Sequence, residues 1–105
     1  MKYNKLVRDK IPEIIKSKEE KCSTHIANNE EYWIKLKEKL LEEVNEFIKS
    51  ENREELADIL EVLDAIYEFK NYKKEEIEQI KKEKAINKGQ FKNRIILEEI
   101  TTIFK

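Results

Sequence analysis

The chain is 105 residues long and weighs 12.7 kDa; 43% of it is charged and 39% apolar, with one glycine, one proline and a formal net charge of −1. That length reads as a single domain over residues 1–105, and it holds too few turn-forming residues for an all-β sandwich or barrel. No apolar run approaches the ~20 residues of a membrane span, and the lone Cys22 excludes an internal disulfide framework.

The opening residues 1–11 are short and mixed. Pro12 suits the first turn of a helix, where its missing N–H is unpaired in any case, so the first helix is expected from Pro12 to Lys21 with Ile14 and Ile15 inward. Residues 22–29 form a polar link, and Asn28 or Asn29 is a natural N-cap. The second helix is expected from Glu30 to Ser50. Its apolar residues Trp33, Leu36, Leu40, Val44 and Phe47 recur at helical spacing, and Leu41 and Ile48 widen the stripe. The link Glu51-Asn52-Arg53 is short, so the next helix should return antiparallel. That third helix, Arg53 to Phe69, carries Leu56, Ile59, Leu60, Leu63, Ile66 and Tyr67 as its stripe. Asn71 reads as the cap of a fourth helix, Lys73 to Ile86, with Ile77 and Ile80 inward and Gly89 as its stop. From residue 90 to 105 the pattern fits an extended segment and a final helical turn equally. The fold class is therefore all-α, an antiparallel bundle. So small and charged a chain buries a thin core alone, which predicts completion by oligomerisation.

Charge is unevenly spread. Residues 1–29 carry seven basic and four acidic groups, residues 30–69 five and thirteen, and residues 70–105 ten and six. A nucleic-acid module is basic overall or carries a clear basic stripe, so no stable nucleic-acid partner is expected. An acidic centre between basic flanks suits cations in the middle and anionic phosphates at the rim.

Within that centre stand Glu42-Glu43-Val44-Asn45-Glu46 and Glu55-Leu56-Ala57-Asp58. Glu43/Glu46 and Glu55/Asp58 are each i, i+3 pairs sharing one helix surface. At 100° per residue, Glu43 lies roughly 80° and Glu46 roughly 140° from the centre of their helix's apolar stripe, and Glu55 and Asp58 lie about 85° and 145° from theirs in the same sense. Antiparallel neighbours turn two such flanks toward each other. Converging carboxylates repel unless neutralised, and Mg²⁺ does this with oxygen ligands while sharing substrate phosphates. Val62 and Phe69 share the flank of Glu55 and Asp58 and should cover it. The plainer alternatives are solvated faces, or a capping box between Asn52 and Glu55. By its angle alone Glu42 points to solvent, and Glu61 and Asp64 read as surface.

E-E-x-x-E followed by E-x-x-D resembles the motif of the MazG-like all-α NTP pyrophosphatase superfamily. The opening Tyr3-Asn4-Lys5-Leu6-Val7-Arg8-Asp9-Lys10-Ile11-Pro12 is similar to the start of its phosphoribosyl-ATP pyrophosphohydrolase-like subgroup. The tail Lys84-Ala85-Ile86-Asn87-Lys88-Gly89-Gln90-Phe91 resembles that subgroup's K-x-x-x-x-G-G-F element, with Gln90 where the second glycine normally stands. The resemblance implies a helical bundle that forms a homodimer or a dimer of dimers. It implies Mg²⁺ held by Glu43, Glu46, Glu55 and Asp58, and cleavage of a nucleotide's α–β phosphate bridge to a monophosphate and pyrophosphate. It also matches Glu42 to the first motif glutamate, giving Glu42, Glu43 and Glu46 as the catalytic set.

Such chemistry needs charge neutralisation and a positioned water more than a covalent nucleophile. Lys5, Arg8 and Lys10 in the opening, and Lys84 and Lys88 in the tail, are the candidate phosphate contacts. Arg8 leads them because its planar fork matches phosphate oxygens. Cys22 and His25 are spaced C-x-x-H, but two further zinc ligands of that kind are missing. Trp33 reads as packing. The expected function is a Mg²⁺-dependent nucleoside triphosphate pyrophosphohydrolase with a house-cleaning role. Phosphoribosyl-ATP is the alternative substrate, and a non-catalytic helical interaction module is the alternative class. The reduced cysteine and the absence of an apolar leader in Met-Lys-Tyr-Asn-Lys predict a cytoplasmic location.

Overall fold

The computed structural model describes residues 3–103, which form four α-helices and no strand: α1 (Ile11–Ser17), α2 (Asn29–Ser50), α3 (Arg53–Lys70) and α4 (Lys74–Lys88). The chain is all-α, as its composition requires. By internal contacts it divides into two units, the first ending at Tyr72 and the second beginning at Lys73.

Local chemistry sets the helix ends. Pro12 sits in the first turn of α1. The helix stops at Ser17, four residues short of the expected Lys21. There the Ser17 hydroxyl donates to the Ile14 carbonyl at 2.6 Å, and Glu19 turns left-handed at φ 61°. Asn28 caps α2 by accepting from the Glu31 N–H at 2.9 Å. That helix ends at Glu51, left-handed at φ 55°. Asn52 then caps α3 by accepting from the Glu54 N–H at 3.2 Å, so two residues separate the helices.

Asn71 departs from its expected role. It ends α3 in the left-handed conformation, φ 58°, and does not cap α4. The Tyr72 N–H reaches back to the Tyr67 carbonyl at 2.9 Å, the six-to-one bond of a Schellman-type stop. Asparagine tolerates that backbone region better than other side chains do, which is why it serves here. Lys73 stands at the N-cap of α4 without a side-chain bond, and Gly89 ends that helix at φ +85°. Residues 90–103 hold no helix or strand beyond a turn at Phe91–Asn93, and residues 104 and 105 lie outside the described part.

α2 and α3 pack as an antiparallel hairpin, the main helix–helix contact of the first unit. Trp33 near the start of α2 meets Phe69 near the end of α3. Leu36 is 1% exposed and Val62 8%, and they are the buried apolar residues among those described. Four residues that the spacing assigns inward are exposed: Leu41 at 62%, Ile48 at 65%, Leu56 and Leu60. The reason is geometric. A hairpin gives each helix one neighbour, and the apolar stripe of α2 is wider than one neighbour covers. Ile34, Leu41 and Ile48 stand seven residues apart on that uncovered side. Ile14 on α1 and Ile80 on α4, also assigned inward, are exposed as well.

Candidate metal centre

The antiparallel turn of the hairpin brings the middle of α2 beside the first turns of α3. One carboxylate oxygen from each of Glu43, Glu55 and Asp58 lies within 4.8 Å of the other two. Glu43 is buried, at 6% exposure, and Glu55 and Asp58 are half-buried. Val62, one turn beyond Asp58 on α3, is itself buried, as its place on the covered flank predicts.

The capping-box alternative for Glu55 fails on geometry. The Asn52 N–H donates to Ser50 Oγ at 3.2 Å, leaving the Glu55 side chain free to face the cluster. Glu54 and Glu55 stand in the first turn of α3, where the helix's positive end favours negative charge.

Two carboxylate oxygens in this group have no donor. Glu43 Oε2 and Glu55 Oε2 are both buried and unpartnered. A buried acceptor without a partner is costly and rare, and two members of one triad each carry one. Withdrawal from water raises the pKa of Glu55, and the nearby Glu46, Asp58 and Glu43 carboxylates raise it further. Three carboxylates so arranged could hold a cation, and their all-oxygen donor set is of the kind hard cations take.

The structure brings Glu46 beside Glu55, yet Glu46 is exposed and stands outside the 4.8 Å set. Glu42 is not in solvent, as its angle alone suggests. It is half-buried, accepting from Lys5 Nζ at 3.0 Å and paired with Lys39 Nζ at 3.0 Å. Burial would push the Glu42 carboxyl up, but the bonds and charges of Lys39 and Lys5 outweigh it and hold it below its usual range. The rotational reading misses this because it cannot see the N-terminal segment laid along α2.

Lys39 is the site residue that spacing analysis overlooks. Its ammonium bridges Glu42 and Glu43, at 3.4 Å from Glu43 Oε1. Burial opposes its charge, yet those two carboxylates outweigh the burial and raise its pKa. The i, i+3 and i, i+4 spacing was its readable signal. Lys5, Lys39 and Glu42, with Tyr3, Leu6 and Lys35, also line a half-open cleft of about 470 Å³.

Arg8 reaches the cluster from the N-terminal segment, donating to Asp58 Oδ1 at 2.8 Å. Lys10 is exposed at the start of α1. Lys84 and Lys88 are exposed on α4, in the second unit. His25 faces Glu31 at 2.9 Å and is held by it, while Cys22 is half-buried and free. Trp33 stacks on Phe69 at 5.8 Å, with Lys37 and Lys70 over its ring. It is a packing residue, as its position on the stripe implies.

No family model matches this sequence, and no curated protein or solved structure is significantly similar to it.

Proposed function

We propose that the chain is a Mg²⁺-dependent nucleotide pyrophosphohydrolase of the MazG-like all-α type. It hydrolyses the α–β phosphate bridge of a (deoxy)nucleoside triphosphate or a related nucleotide such as phosphoribosyl-ATP. The observation that carries this reading is Glu43, a buried carboxylate with one donorless oxygen and with an oxygen within 4.8 Å of carboxylates from the next helix. An all-acidic solvated face has no reason to bury such a group. The set is oxygen-only, which suits Mg²⁺ or Mn²⁺ over zinc.

Glu43, Glu55 and Asp58 would hold the cation, with Glu46 the fourth ligand at the open edge. The bound cation supplies neutralisation of phosphate charge and a water of lowered pKa. Glu46, exposed and beside Glu55, would be the carboxylate available to take up a proton at this edge. Lys39 fixes Glu43 and Glu42 in position. The cleft beside the site carries Lys5, Lys35 and Lys39, each paired with Glu38 or Glu42 on the same lining.

The uncovered face of Ile34, Leu41 and Ile48, with Leu56 and Leu60, supports assembly as a homodimer or dimer of dimers. That face also favours a second reading, a non-catalytic helical interaction module. Cytoplasmic location belongs to the same proposal; no helix among the described residues is long and apolar enough to cross a membrane.

Incubation with a panel of nucleoside triphosphates, with and without Mg²⁺, separates the readings through pyrophosphate release. Turnover is expected when Mg²⁺ is present and not when it is absent, and is expected to be lost in Asp58→Asn and Glu46→Gln while helical content is retained. Near-normal turnover in both variants removes the assignment of ligands, and silence across the panel favours the interaction module.

A further inference from the structure

The segment before α1 touches both helices of the hairpin through two side chains three positions apart. Lys5 reaches Glu42 on α2, and Arg8 reaches Asp58 on α3. The two anchors differ in what they hold. Glu42 lies outside the carboxylate triad, and Asp58 belongs to it. The triad's cationic partners are Lys39, on Glu43, and Arg8, on Asp58. Lys39 is built into the same helix as its partner, half-buried and bridging two glutamates. Arg8 comes from fifty residues away; its side chain is 57% exposed and that of the half-buried Asp58 39%.

We propose that residues 3–10 form an electrostatic strap in which Arg8 competes with the divalent cation for Asp58. This deepens the metal-centre reading and rests on it. Without the cation, the guanidinium lies on Asp58 and offsets part of the triad's repulsion. An exposed single-contact pair is weak, so a doubly charged ion with three carboxylate ligands displaces it. Arginine stays charged at every working pH, so the competition does not switch off by deprotonation. Lys5, bonded to a glutamate the cation does not need, keeps the strap tethered while Arg8 is released. The freed guanidinium then stands beside the cation, where an anionic phosphate has to arrive. The strap thus couples cation entry to exposure of a phosphate-binding group.

Isothermal titration of the full chain with Mn²⁺ as the probe, without nucleotide, tests this. Four proteins are compared: the wild type, Arg8→Gln, Lys5→Gln and Asp58→Asn, each checked by far-UV circular dichroism. Removing the competitor is expected to tighten Mn²⁺ binding about five-fold in Arg8→Gln. Lys5→Gln removes the same charge from the same segment and is expected to stay within about two-fold of wild type, because its pair lies outside the triad. Equal tightening in both variants means a diffuse charge effect and overturns the strap. Wild-type affinity in Arg8→Gln also overturns it, while loss of binding in Asp58→Asn leaves the metal centre standing. Absence of binding in both wild type and Arg8→Gln overturns the strap and the metal centre together.

Discussion

Glu43→Gln should make the metal-free protein more stable and the metal-treated protein less so. Glu43 is buried with Oε2 unpartnered, near two further carboxylates. An unsatisfied buried acceptor costs about 1–3 kcal/mol. Glutamine keeps the shape, and its amide turns the orphaned acceptor into a donor facing acceptors. Against this stands the loss of the charged contact with Lys39 at 3.4 Å. An i, i+4 pair is worth about 0.5 kcal/mol, and Lys39 keeps Glu42 as its partner. Relief therefore wins by about 0.5–2.5 kcal/mol, a rise in melting temperature of roughly 2–20 °C for a domain of this size. The wild type gains about 2.7 kcal/mol from a cation at one hundred times its dissociation constant, and the variant forgoes that gain. Melting curves by far-UV circular dichroism, with and without Mg²⁺, should cross between the two proteins. A metal-free variant less stable than wild type refutes the reasoning about the orphaned oxygen. A variant that keeps the full Mg²⁺ shift refutes Glu43 as a ligand.

The raised pKa of Glu55 makes a second prediction with a definite sign. The folded chain binds this proton more tightly than the unfolded chain, so stability falls as pH rises from the ordinary glutamate value through the raised one. Metal-free wild type should therefore lose melting temperature across that window more steeply than Glu55→Gln, and parallel pH profiles would contradict it. Glu42 acts in the opposite sense and at lower pH, since its carboxyl is held below the usual range and its stabilisation is lost only as pH falls through that value. For assembly, Leu41→Glu places a charge in the uncovered face and should lower the sedimenting mass without loss of helix. An unchanged mass would show that this face is not the interface.

The hairpin was readable because its signals are local. Asn28 and Asn52 are capping residues at the right places, and Trp33, Leu36 and Leu40 keep helical period into a short link. The convergence of Glu43 with Glu55 and Asp58 followed from rotation angles and antiparallel packing, both fixed by nearby sequence. What escaped depends on longer reach or on absent neighbours. The Arg8–Asp58 and Lys5–Glu42 pairs span 50 and 37 residues, and no periodicity announces them. Asn71 fits both an N-cap and a left-handed stop, and only the backbone path decides between them. The exposed Leu41, Ile48 and Leu60 carry the periodicity of a core, and a sequence pattern marks an apolar face without recording whether anything packs on it.

The most direct measurement is anomalous scattering from crystals soaked in Mn²⁺. A peak liganded jointly by Glu43, Glu55 and Asp58, with Arg8 moved off Asp58, is the predicted result. Well-ordered density at those three side chains with no anomalous peak between them, at a Mn²⁺ concentration that supports nucleotide turnover, would contradict it.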